Sequence, residues 1–99
     1  MIPVEILPAA EADLDDIANH LNIHSTFAFI KLISALQRRF RVLSQHPAAG
    51  KVCDGFGHDL RVIFVGRYGV YYRQIDERID IVRILDGRRD QKANFNDEA

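Results

Sequence analysis

The spacing of hydrophobic residues changes several times along this 99-residue chain, and each change marks a predicted element. Ile2, Val4 and Ile6 alternate with other residues, which predicts a short first strand. Pro8 then suits the first turn of a helix, where its missing N–H needs no partner. The apolar residues that follow recur at the spacing of one helical face: Leu14, Ile17, Ala18 and Leu21.

A second, longer helix is predicted from Ser25, a residue type that caps helix N-termini, to about Gln45. Pro47 ends it, because the residue before a proline is displaced from the helical region. Residues 47–58 contain three glycines and form the longest stretch that we expect to be irregular. The predicted buried stripe of this helix consists of Ile30, Ile33, Leu36, Phe40 and Leu43.

Three strand-like runs follow, at residues 59–67, 68–75 and 78–85. Turn candidates at residues 66–69 and 76–77 separate them, so they predict an antiparallel meander. The predicted fold class is α+β, in the order β-α-α-β-β-β, with a two-helix hairpin packed on a small antiparallel sheet. We expect the other face of the sheet to be at least partly open. Residues 1–99 should form one domain, with 93–99 as a flexible or partner-dependent tail.

Composition narrows the class of protein. A hydrophobic fraction of 47% with 27% charged residues is typical of a globular domain. No apolar run approaches the roughly 20 residues of a membrane helix, so we expect no membrane association. The N-terminus lacks the basic lead and apolar core of a signal peptide. The lone Cys53 cannot form an internal disulfide, which fits a reducing cytoplasm.

Charge is unevenly distributed, although the net charge is only −1. Residues 1–30 carry −5 and contain no Lys or Arg, whereas residues 31–92 contain all 13 basic residues and carry +6. The second half of the chain is therefore predicted to build a basic surface, suited to phosphate or to an acidic peptide. The alternative is an ordinary solvated surface. The near-neutral total argues against non-specific coating of nucleic acid.

Arginine recurs along the predicted meander, and four of these residues form the candidate target-binding basic face. Arg61 and Arg83 each interrupt an apolar run, so each should lie on the open face or be paired. Arg88 and Arg89 follow Gly87 at the end of the last strand. The planar guanidinium group of arginine suits phosphate and carboxylate oxygens. Arg67, Arg73 and Arg78 lie closer to turns and are interpreted as exposed strand positions.

Other candidate chemistry is sparse. The four histidines show no metal-ligand spacing except the i, i+4 pair His20 and His24, which is interpreted as surface because "HLNIH" lacks the glutamate of a zincin motif. Cys53 has no CxxC partner, and no phosphate loop, nucleophile elbow or dinucleotide fingerprint is present. We therefore predict no metal and no cofactor. Alternation places Tyr68 and Tyr72 on one sheet face and Tyr71 on the other, where packing is the favoured role.

Three segments in order, "AEADLDDIANHL", "HPAAGK" and "LRVIFVGRYGVYYRQIDERIDIVRILDGRRD", resemble the ParE branch of the RelE/ParE superfamily of bacterial toxins. The resemblance covers nearly the whole chain and implies two helices against a small antiparallel sheet. It also implies a cytoplasmic toxin of a type II toxin–antitoxin system, in a heteromeric complex with a ParD-like antitoxin that wraps the toxin. The ParE branch is associated with poisoning of DNA gyrase, and the RelE branch with cleavage of mRNA on the ribosome.

The residues favour the first of these activities. Cleavage of RNA needs a group that moves a proton as well as positive charge on the phosphate. Arg61 and Arg89 match the arginines of RelE-like nucleases, but Phe95 stands where such nucleases can carry tyrosine, and Lys51 is the only lysine of the loop. We therefore predict a gyrase inhibitor that acts by binding and is not an enzyme. A RelE-like mRNA endonuclease, or an inactive member that only binds antitoxin and co-represses the operon, remain the alternatives.

The antitoxin is expected to lay an amphipathic segment in the groove between the helical hairpin and the sheet. The candidate antitoxin-binding residues are Phe27, Phe29 and Tyr72. No direct sequence-specific DNA binding is expected of the toxin alone.

Overall fold

The computed structural model describes residues 1–53 and 59–87, apart from the side chains of residues 22–24. Within these residues, two helices and five strands follow the order β1, α1, α2, β2, β3, β4, β5. The helices are α1 (Pro8–His24) and α2 (Thr26–Gln45), and a 3₁₀ turn (Pro47–Ala49) follows α2. The strands are β1 (Val4–Ile6), β2 (Lys51–Val52), β3 (Arg61–Val65), β4 (Tyr68–Ile75) and β5 (Arg78–Asp86).

The strands form one sheet in the order β1-β5-β4-β3-β2, which confirms the predicted α+β fold and its antiparallel meander. Two-residue turns join the meander strands, and Gly66 and Asp76 adopt positive φ angles of 59° and 53° in them. Two features extend the expectation. β1 pairs parallel with β5, so the sheet is mixed, and β2 adds a short antiparallel edge strand inside the segment expected to be irregular.

The helix ends follow from local chemistry, as the sequence predicted. Pro8 lies in the first turn of α1, and the Ser25 side chain accepts a 3.1 Å hydrogen bond from the N–H of Ala28 at the start of α2. Leu36 and Leu43 of the predicted α2 stripe are buried. Ile30 is not, because it is 58% exposed on the outer side of the helix, so that part of the prediction is wrong.

The core lies mainly between the helices and the sheet. Its fully buried members come from both helices and from the strands, and include Ala10, Leu36, Leu43, Val70, Tyr72, Ile79 and Ile81. Ile2, Val4 and Ile6 pack against it, as their alternation predicted.

A second cluster lies on the other face of the sheet and consists of Leu60, Val62, Tyr71 and Leu85, all buried. Tyr71 and Tyr72 therefore point to opposite faces, as predicted. That other face is open only in part, for example at Phe64, which is 56% exposed.

A bulge in β5 redirects one arginine. Tyr71 pairs with Arg83 and Tyr72 pairs with Ile81, so Val82 is an extra residue on β5. The bulge explains why Ile81 and Ile84 both reach the helix-side core, although residues three apart in a regular strand face opposite sides. Arg83 lies within this irregular segment and its side chain reaches α1.

Candidate partner-binding surfaces

Arg61 and Tyr72 hold the loop between α2 and β2. The Tyr72 hydroxyl donates to the Pro47 carbonyl at 2.8 Å and accepts from the Gly50 N–H at 2.7 Å. Nη1 of Arg61, the residue paired with Tyr72 on β3, donates to the Gly50 carbonyl at 2.8 Å and to the Ala48 carbonyl at 3.3 Å. Arg61 is thus paired with backbone oxygens, the second of the two environments expected for it.

The electrostatics of this loop reveal a further cation. Burial raises the pKa of the Tyr72 hydroxyl, while the hydrogen bond from Gly50 and the positive charges of Arg61 and Arg39 act in the opposite direction. Arg39 of α2 therefore lies close enough to influence the same hydroxyl as Arg61. Nothing in the sequence pattern distinguishes Arg39 from the other cations of α2, so its position near Tyr72 could not be predicted from the sequence.

Tyr72 is placed differently from the expected surface contact. Its side chain is fully buried, so it is a core residue and leaves no exposed ring for a partner. Its effect on any partner surface is indirect, through the position of residues 47–50. Gly50 fits closely against it, since a Cβ on Gly50 would lie 2.5 Å from the Tyr72 hydroxyl oxygen.

Arg83 is bound within the protein. Its Nε and Nη2 donate to the two carboxylate oxygens of Asp13 on α1, at 2.8 and 3.0 Å, and the Ile84 N–H donates to the same carboxylate at 2.9 Å. The two side chains are 16% and 12% exposed. This bidentate pair joins α1 to β5. The described residues therefore assign Arg61 and Arg83 to two separate supporting roles, and Arg88 and Arg89 lie outside the described residues.

The end of β5 is fastened to the β3–β4 turn. The Arg67 guanidinium pairs with the Asp86 carboxylate, which raises the pKa of Arg67, and it lies 5.8 Å from the centre of the Tyr68 ring. The Gly87 N–H donates to the Arg67 carbonyl at 2.7 Å, and a Cβ on Gly87 would lie 2.9 Å from that oxygen. The last described residue is thus fixed directly before the predicted Arg88–Arg89 site.

Two shallow clefts lie beside these pairs. One, of about 310 Å³, lies between α1 and the end of β5 and is lined by polar residues that include Asp13, Asp16, His20 and Arg67. The other, of about 260 Å³, borders Arg61 and the loop after α2. No group of three or more residues suited to hold a metal ion occurs within the described part of the chain. No described helix is long and apolar enough to span a membrane.

The candidate antitoxin-binding phenylalanines differ in accessibility. Phe27, in the first turn of α2, is 73% exposed, whereas Phe29 is half-buried. Phe27 is therefore the more accessible of the two candidate residues.

The chain matches the family model described as "ParE toxin of type II toxin-antitoxin system, parDE" over residues 4–91, and it therefore belongs to the ParE toxin family. A solved structure titled "Chromosomal ParDE TA system from P. aeruginosa" has a similar fold, with a TM-score of 0.72 and 20% sequence identity. That similarity covers 87% of this chain and 96% of the other. No curated protein sequence matches the chain.

Proposed function

We propose that this ParE-type toxin inhibits DNA gyrase by binding it, without catalysing a reaction, and that a cognate ParD-like antitoxin neutralises it. The observation that supports this proposal most is the match to the ParE family over residues 4–91. Because its target is an enzyme that acts on chromosomal DNA, the proposal places the toxin in the cytoplasm.

The chemistry of the described polar groups supports binding over catalysis. The Tyr72 hydroxyl is buried, bonded to two backbone groups and has a raised pKa, so it is a poor proton acceptor near neutral pH. Arg61 and Arg83 are held by carbonyls and by Asp13. These residues build the scaffold, and they do not form a set of groups positioned for proton transfer.

The proposed target-binding residues are Arg88 and Arg89, which follow the fixed Gly87. Arg83 supports β5, which leads to these residues, by joining it to α1, whereas Arg61 holds the loop after α2. The sequence predicted a single basic face of four arginines. We propose instead that two of them contact the target and two support the fold, so their substitutions should have different effects on inhibition and stability. Substitution of Arg88 or Arg89 should reduce gyrase inhibition without changing stability, whereas substitution of Arg83 should change both.

A supercoiling assay with purified gyrase tests the assignment. Wild-type toxin and the Arg38→Ala control on α2 should inhibit equally, and the Arg88→Ala/Arg89→Ala double variant should inhibit at least about tenfold less, as expected for loss of central interface arginines. Equal inhibition by all three proteins would refute the assignment of the target-binding surface. Cleavage of mRNA by the wild type in a translating extract, lost in Arg89→Ala, would instead support the RelE-like alternative.

A further inference from the structure

Three residues join the end of β5 to the β3–β4 turn, and we call Arg67, Asp86 and Gly87 the β5 clasp. The Arg67 guanidinium pairs with the Asp86 carboxylate and lies 5.8 Å from the centre of the Tyr68 ring. The Gly87 N–H donates to the Arg67 carbonyl at 2.7 Å. Asp86, which pairs with Tyr68, is the last residue of β5, so the clasp holds the chain one residue beyond the sheet.

Glycine at position 87 allows the two main chains to approach closely. A Cβ at this position would lie 2.9 Å from the Arg67 carbonyl oxygen, which belongs to the main chain and cannot turn away as a flexible side chain can. A side chain here would therefore displace the chain where it leaves the sheet. The next two residues are Arg88 and Arg89, the proposed target-binding residues.

The clasp is placed to direct the chain more than to stabilise the fold. The side chains of Arg67 and Asp86 are 45% and 21% exposed, and ion pairs that water reaches contribute little to the free energy of unfolding. β5 has a more deeply buried anchor in the pair between Arg83 and Asp13. The contacts of the clasp therefore act mainly on the segment that follows β5.

We propose that the β5 clasp positions Arg88 and Arg89 for the target, which makes Arg67 and Asp86 positioning residues of gyrase inhibition. The inference rests on the proposed function, because Arg88 and Arg89 are its target-binding residues. A chain direction that is fixed before binding reduces the conformational entropy lost on binding, and this strengthens the complex. The sequence pattern indicates only an exposed strand position for Arg67.

Direct contact between Arg67 and the target is the alternative, and Asp86→Asn separates the two roles. This substitution keeps the shape of the side chain, removes its charge and leaves Arg67 in place. A positioning role predicts weaker inhibition, because the clasp is broken. Direct contact predicts inhibition that is unchanged or stronger, since the guanidinium is released from the carboxylate.

The test is a supercoiling assay with purified gyrase, in which Arg78→Gln is the matched control for Arg67→Gln. Each substitution removes one positive charge and an ion pair with an aspartate of β5, and the two arginine side chains are 49% and 45% exposed. Arg78 lies at the opposite end of the β4–β5 ladder, about 25 Å away along β5.

We expect Asp86→Asn and Arg67→Gln to raise the toxin concentration needed for half-inhibition by about three- to tenfold. Arg78→Gln should leave that concentration unchanged. Urea unfolding of Asp86→Asn should remain close to that of the wild type, because the pair is exposed to water. A purely structural role predicts instead that inhibition falls in parallel with stability.

A second comparison uses the Arg88→Ala/Arg89→Ala background. Asp86→Asn should cause no further loss of inhibition there, because the side chains that the clasp positions are already absent. A full additional loss in this background would show that the clasp acts through other contacts, and it would overturn the proposal.

The failures are distinguishable. If wild-type toxin does not inhibit gyrase, the proposed function is wrong and the inference falls with it. If the wild type inhibits and Asp86→Asn inhibits equally or better, the clasp does not position the arginines, while the proposed function stands. If Arg78→Gln loses as much inhibition as Arg67→Gln, the effect is one of charge alone, and the positioning role is again wrong.

Discussion

At the scale of single residues, the two arginines that interrupt apolar strand segments, Arg61 and Arg83, bind different partners within the protein. Arg61 binds backbone carbonyls of the loop after α2, and Arg83 binds Asp13 of α1. The sequence could indicate that a strand arginine needs a partner, because an unpaired buried charge is costly. It could not identify Asp13, since residues 70 positions apart meet only once the sheet has formed.

The pair between Asp13 and Arg83 should stabilise the fold. Asp13→Ala leaves a largely buried guanidinium without its carboxylate and removes the acceptor of the Ile84 N–H. We expect the free energy of unfolding in urea to fall by about 3 kcal/mol. Asp15→Ala, at an exposed position of the same helix, is the control and should change it by less than about 0.5 kcal/mol. Equal effects of the two substitutions would show that the pair contributes nothing specific.

The Tyr72 hydroxyl should contribute through its two hydrogen bonds. Tyr72→Phe leaves the buried Gly50 N–H and the Pro47 carbonyl without this partner, so stability should fall by about 1–2 kcal/mol. Tyr68→Phe is the matched control, because no hydrogen bond of the Tyr68 hydroxyl occurs among the described residues. Chemical denaturation of both variants at pH 7 measures the difference. A loss as large in Tyr68→Phe would contradict the assignment.

The same hydroxyl predicts an alkaline pH dependence. Burial raises the pKa of Tyr72 in the folded state, so the native protein retains its proton at pH values where the unfolded chain has lost it. Stability from this group is therefore present below about pH 10 and is lost as the pH rises through the folded-state value. Denaturation at successive pH values should show a steeper alkaline loss in the wild type than in Tyr72→Phe. Parallel curves would exclude a contribution from Tyr72.

At the scale of elements, hydrophobic periodicity was sufficient to predict a helix or strand wherever the pattern extended over many residues. Both helices, the Ser25 cap and the three meander strands were predictable because their patterns repeat over many residues. β2 was not, since two residues cannot show a period. The parallel pairing of β1 with β5 and the bulge at Val82 depend on long-range packing. Ile30 was misplaced because an apolar residue at helical spacing can also serve a partner surface.

The loop after α2 should be intolerant of a side chain at its last residue. A Cβ on Gly50 would lie 2.5 and 2.6 Å from two atoms of the buried Tyr72 side chain, which has no room to move. Gly50→Ala should therefore destabilise the protein by about 1–3 kcal/mol through overpacking. Thermal unfolding measures the effect.

Gly66→Ala, in the β3–β4 turn, is the comparison for the destabilisation caused by Gly50→Ala. Gly66 has a positive φ but no atom within 4 Å of an added Cβ, so its substitution incurs backbone strain alone. The Tyr72→Ala background lacks the ring against which the new Cβ would clash. In that background Gly50→Ala should lower the free energy of unfolding much less than it does in the wild type. An unchanged cost in that background would locate the effect elsewhere.

At the scale of the whole molecule, the uneven charge distribution has a structural counterpart. The acidic residues of the first third lie largely on α1, and one of them holds β5, whereas the charged residues of α2 are all cations. The sequence predicted a basic second half, but it placed the emphasis on the strands. The structure shows that several strand arginines are engaged within the fold, so the unpaired cations of the described residues lie to a greater extent on α2.

The central claim is that this toxin acts on gyrase by binding and without turnover. The most direct measurement is a supercoiling assay in which the toxin-to-gyrase ratio and the incubation time are varied independently. We predict that inhibition depends on the ratio, reaches a plateau that does not advance with time, and is reversed by added antitoxin. Inhibition that keeps advancing with time at a low toxin-to-gyrase ratio, or no inhibition at any ratio, would contradict the account.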